Sequence, residues 1–144
     1  MLSCDLVYAR KEAKFGTPEV NVGLFPMMIG ALIFRNASRK KALEMIYTAR
    51  MLSAAEAEEM GLITRAVSAQ ELDTVVNEAL SAISAKAPLA LKMGRQALAA
   101  AQDMTLDEAL DYLCIQLGSV AATEDAMEGM MAFMEKRQPQ WKGR

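Results

Sequence analysis

The sequence has 144 residues, of which 53% are hydrophobic and 24% charged, with a net charge of −2 and no histidine. Such a composition belongs to about one folded domain rather than a disordered chain, and the charge gives no general attraction to nucleic acid. The lack of histidine excludes Ser-His-Asp and Cys-His catalysis and argues against a transition-metal centre, so acid/base chemistry falls to carboxylates, Lys or Tyr.

Asp5 to Ala9 (DLVYA) predicts a short strand, and Lys14-Phe15 a second extended piece. Gly16-Thr17-Pro18 breaks the chain there. Pro18 biases Thr17 toward extended geometry and sets Glu19 just past a turn. From Pro26 the run MMIGALIF is apolar on all sides and predicts a short helix buried all round. Ser38 is placed to cap a further helix through Tyr47. Ser53 with Glu56, Ser68 with Glu71 and Thr105 with Glu108 carry the capping-box spacing, in which hydroxyl and carboxylate satisfy orphan N–H groups reciprocally. These three Glu residues are therefore structural. Gly61 closes the Ser53 helix, and Ile63 to Val67 predicts one more strand. From Ser68 onward the pattern is helical throughout. Pro88 restarts one helix, Leu106 to Ala121 form a wide apolar stripe on the next, and Thr123 starts a last one rich in Met.

Three short strands among helices do not build a self-sufficient sheet. The expected class is α/β and mostly helical, with residues 1–67 the end of a larger core and 68–144 a helical subdomain. Apolar surface is expected near Leu6, Phe15 and Leu24. The twelve Met residues serve either as core gap-fillers or as an adaptable contact face. Cys4 and Cys114 are expected as buried thiols. The run Leu24 to Phe34 falls short of the roughly 20 apolar residues that cross a bilayer. No membrane span is expected, and the start lacks the features of a secretory signal. The expected location is cytoplasmic, with an organelle as the alternative. The basic clusters at Arg35 to Lys41 and Lys136 to Arg144 read by themselves as solvated faces. Glu19 stays open between a catalytic acid/base and a turn residue, and a Glu after a Pro turn is by itself a solvated or capping group.

Three segments resemble, in order, the carboxy-terminal half of the enoyl-CoA hydratase/isomerase family, the crotonases. CDLVYARKEAKFGTPEVNVGLFP is similar to the family's strand followed by FG-x-PE-x-x-x-G-x-x-P. RKKALEMIYTARMLSAAEAEEMGLITRAV is similar to its A-E-A-x-x-x-GL continuation, and EGMMAFMEKRQPQWKGR to its EG-x-x-AF-x-EKR-x-P tail. The resemblance covers nearly the whole chain. It implies a spiral of ββα turns followed by helices that build a homotrimer, often stacked into hexamers, with an acyl-CoA thioester as substrate and no cofactor beyond the coenzyme A it carries. By resemblance Glu19 matches a catalytic glutamate, and Gly23, Pro26, Met27 and Met28 fall in the substrate pocket. Phe133 and Lys136 match positions that reach the CoA nucleotide of an adjacent subunit, an aromatic for adenine and an ammonium for phosphate.

These residues contain no counterpart of the family's amino-terminal half, which supplies the CoA-binding turn, the oxyanion-hole donors and the second glutamate. The chain alone is therefore expected to be inactive and to need an upstream segment or a partner chain. Met27-Met28-Ile29 stands where hydratases commonly carry a Gly-rich run. Hydratase, isomerase and hydrolase chemistry, or a bulkier substrate, all stay open. The alternative is a non-catalytic helical assembly module or a truncated relic of the family.

Overall fold

A computed structural model describes residues 1–144, with four short strands, one 3-10 helix and seven α-helices. The chain divides into two compact units, residues 1–78 and 79–144, with the dividing point inside the helix Leu72–Ser84.

In the first unit, β1 (Tyr8–Arg10) pairs in parallel with β4 (Arg65–Val67), Tyr8 opposite Arg65 and Arg10 opposite Val67. Strand β2 (Lys14–Phe15) runs antiparallel to β3 (Leu52–Ser53). Strand β3 was not expected: two residues are too few for any alternation to show, and Ser53 also serves as a helix cap. Both sheets have only two strands, so most of the order comes from the helices packed beside them. Those are α1 (Met27–Asn36), α2 (Arg39–Thr48) and α3 (Ala54–Glu59). Their core contains Ile33, Met45, Ile46, Leu52, Leu62 and Ile63, with Ala42, Ala54 and Ala57 letting the backbones approach. Full burial of a side chain such as Leu52 contributes about 1.5–3 kcal/mol.

Helix α1 departs from expectation, because only Gly30 and Ile33 are buried and Met27, Met28, Ile29 and Phe34 face outward. An all-round apolar pattern shows that a helix needs cover, but not that its own chain supplies it. Leu6 and Leu24 are exposed as expected, whereas Phe15 is half-buried against the core. Cys4 and Cys114 are exposed thiols, contrary to expectation.

The capping boxes form as the spacing requires. Ser53 Oγ accepts the Glu56 N–H at 3.3 Å while Glu56 Oε2 accepts the Ser53 N–H at 2.8 Å. Ser68 and Glu71 make the same exchange in the turn before α4 (Leu72–Ser84). Ser38 holds the N-cap position of α2 without a side-chain bond. The Arg50 guanidinium, followed by the Ser53 N–H and hydroxyl, holds the Glu56 carboxyl at about 2, below its ordinary 4.5. A depressed carboxylate stabilises the fold above its unfolded pKa and loses that contribution as pH falls through the folded one. The thermal midpoints of the wild type and Glu56→Gln are therefore expected to differ above pH 4.5 and converge toward pH 2. A difference independent of pH would show that the charge of Glu56 contributes nothing.

The second unit is helical. Helix α5 (Pro88–Ala101) opens on proline, whose fixed φ suits a first helical turn, and packs against α6 (Leu106–Ala121), capped by Thr105 and Glu108. Thr123 Oγ1 accepts the Ala126 N–H at 3.1 Å and starts α7 (Glu124–Met134). Beyond α7 the tail folds back. Asp125, 1% exposed, accepts the N–H groups of Lys142 at 2.7 Å and Gly143 at 2.9 Å. Trp141 donates its indole N–H to the Ala85 carbonyl at 2.8 Å, and a Cβ on Gly129 would stand 3.2 Å from its ring. Met127, Met130, Met131 and Met134 are exposed on α7, so this part of the Met content is surface and not core.

Candidate active site

The candidate site is built on the turn between β2 and α1. A Cβ on Gly16 would stand 3.1 Å from the Arg50 carbonyl oxygen, a tight backbone contact, and would also displace the flexible Met51 thioether, so glycine suits the close approach as the chain leaves β2. Thr17 is extended (φ −129°, ψ 91°), as a residue before proline should be, and Pro18 opens the 3-10 helix Pro18–Val22. Gly23 ends it in the left-handed region at φ 78°, ψ 13°, where a side chain is disfavoured. The Leu24 N–H then returns to the Glu19 carbonyl at 3.1 Å. This turn aims the chain back along Pro26 and into α1.

Glu19, Pro26, Met27 and Met28 line a groove of about 520 Å³ together with Leu24, Phe25, Ile29 and Leu32. Four of the expected site residues thus meet in one place. Gly23 is not among the lining residues; its part is the turn that forms the groove. Met27 and Met28 are 74% and 89% exposed. The Phe25 ring is steadied by Tyr47 on α2, centroid to centroid 6.4 Å at 55°.

Glu19 is the sole ionisable group lining the groove. Its Oε2 is shielded from solvent and accepts no hydrogen bond. An uncommitted carboxylate oxygen among apolar side chains is suited to taking up and returning a proton. Thr17 was not singled out by sequence, yet it is 6% exposed and its hydroxyl is likewise without a partner. It lines a second cavity of about 290 Å³, which shares Ile29 with the Glu19 groove. Its position one residue before Pro18 was the available signal.

Phe133 and Lys136 belong to the other unit. Phe133 is 85% exposed, and Lys136 follows the end of α7 with φ 54°, left-handed although not glycine. No group of three or more Cys, Asp or Glu side chains is arranged to hold a metal ion. No helix is long and apolar enough to cross a membrane.

Comparison with known proteins gives the family of the chain. The family model described as enoyl-CoA hydratase/isomerase matches residues 1–144. A probable enoyl-CoA hydratase of Mycobacterium tuberculosis is 40% identical over 141 residues, which is 97% of this chain and 55% of that protein. A short-chain-enoyl-CoA hydratase of Clostridium acetobutylicum is 34% identical over 94% of this chain and 52% of its own length. Among solved structures, an enoyl-CoA hydratase of Mycobacterium smegmatis superposes with a TM-score of 0.94 at 34% identity, covering 97% of this chain and 55% of that one. The chain spans about half the length of the curated relatives it matches. With the family model matched from end to end, the chain belongs to the enoyl-CoA hydratase/isomerase family.

Proposed function

We propose that this chain is the carboxy-terminal half of an acyl-CoA hydratase or isomerase, with Glu19 as its acid/base. The observation that carries the reading is the shielded, unpartnered Glu19 Oε2 at an apolar groove. In hydration the water oxygen bonds to Cβ of an α,β-unsaturated thioester as the carboxylate takes a proton from that water, and the carboxylic acid so formed returns a proton to Cα as the enolate collapses, leaving the carboxylate as it began. In isomerisation a single carboxylate takes a proton from one carbon and returns it to another. Both routes pass through an enolate that needs oriented N–H donors. Those donors belong to the portion of the fold that relatives of full length possess, whether on the same polypeptide or on another. Met27 and Met28 extend the apolar lining of the groove, which favours a longer acyl chain over the shortest ones. Phe133 and Lys136 of an adjacent copy receive the adenine and phosphate of coenzyme A in a homotrimer or hexamer placed in the cytoplasm.

The test follows loss of enoyl absorbance from a short and a longer enoyl-CoA. The chain is assayed alone and co-expressed with the amino-terminal segment of a full-length relative. Turnover that appears on co-expression supports the reading. A folded complex that turns over neither substrate would favour the alternative, a non-catalytic helical assembly module, which the exposed Met face of α7 would suit.

A further inference from the structure

The end of α7 contains a strained lysine beside a fork of charges. Lys136 holds φ 54°, where its Cβ crowds the backbone, and its N–H reaches the Phe133 carbonyl at 3.3 Å. A non-glycine residue in this region persists only where its surroundings over-determine it. Here they do so through the next residue. The Arg137 N–H donates to the Ala132 carbonyl at 3.0 Å. Its guanidinium meets both oxygens of Glu128, Nη1 to Oε1 at 2.6 Å and Nη2 to Oε2 at 3.0 Å, and its Nε reaches Glu135 at 2.5 Å. Glu128 also accepts the Gln140 N–H at 2.8 Å, so the chain is gripped on both sides of Pro139. Two carboxylates thus neutralise Arg137, whereas the Lys136 ammonium makes no ion pair and stands exposed one turn from the bare ring of Phe133.

We propose that Arg137 and Glu128 are positioning residues, whose two-point fork fixes Lys136 in its left-handed conformation and so presents its ammonium to the phosphates of coenzyme A. The inference rests on the acyl-CoA reading of Lys136 and goes beyond it by naming what sets that lysine in place. A planar bidentate pair suits the task, since it fixes direction as well as distance.

The test is calorimetric titration of the chain co-assembled with the amino-terminal segment of a full-length relative, with coenzyme A and with phosphate-free pantetheine. Arg137→Ala and Lys136→Ala are each expected to weaken coenzyme A by about tenfold, the usual worth of a charge-assisted bond, and to leave pantetheine unchanged. The double variant should be no weaker than either single one, because both remove the same contact. Arg137→Lys should not restore binding, since an ammonium cannot form the fork. Glu128→Gln, which keeps shape and removes charge, serves in parallel should Arg137→Ala fail to fold. If Lys136→Ala leaves coenzyme A affinity intact, or the wild type binds none, the acyl-CoA reading of Lys136 fails and this inference with it. If Lys136→Ala weakens binding while folded Arg137→Ala and Glu128→Gln do not, the reading stands and the positioning role is overturned.

Discussion

Replacing Glu19 by Gln is expected to lower enoyl-CoA turnover in the proposed assembled enzyme by about 10²–10⁴-fold, the span usual for a positioned acid/base. The side chain keeps its shape, and its Oε2 accepts no hydrogen bond that the amide would break. Stability is therefore expected within about 0.5 kcal/mol of the wild type. The loss should fall on kcat with KM little changed, because the proton is handled only at the transition state. Initial rates measured across substrate concentration check both quantities. Turnover retained within tenfold would place the acid/base on another residue.

The largest expected effect on stability comes from Asp125. Its carboxylate is 1% exposed and accepts two backbone N–H groups from the tail, while its own N–H donates to the Arg144 carbonyl at 3.1 Å. Hydrogen bonds to a charged group contribute about 1.5–3 kcal/mol each, so Asp125→Ala is expected to cost about 3 kcal/mol or more. For a unit of this size the thermal midpoint should drop by on the order of 10 °C. Limited proteolysis should then cut the tail between Gln138 and Arg144 before any helix. Asp125→Asn, which keeps one acceptor oxygen and turns an amide toward the other donor, should fall between the two. A midpoint for Asp125→Ala within a degree of the wild type would show that the tail is held by Trp141 and the Glu128 fork instead.

The contrast between these two residues shows what the sequence made legible. Glu19, Pro26, Met27 and Met28 lie within ten positions, and the turn that gathers them is written in local chemistry: a proline that fixes φ, and a glycine that permits a left-handed end. The capping boxes were legible for the same reason, since donor and acceptor stand three residues apart. Asp125 was not, because its partners come from 17 and 18 residues away and no periodicity announces a tail that folds back. Strand β3 was missed because two residues carry no pattern. The exposed face of α1 was misread because hydrophobicity reports a need for cover without saying which chain meets it.

The parallel pairing of β1 with β4 has a kinetic consequence. These strands meet only after a long stretch of chain has closed, as the bond from the Val7 N–H to Thr64 Oγ1 across 57 residues makes plain. Parallel pairs of that separation require the loop entropy to be met before any ladder bond forms. In contrast, α5 and α6 are neighbours in sequence joined by a short turn, and they can pair as soon as both exist. Refolding from denaturant should thus show a fast gain of helical signal from residues 79–144. A slower phase follows, in which Tyr8 finds Arg65.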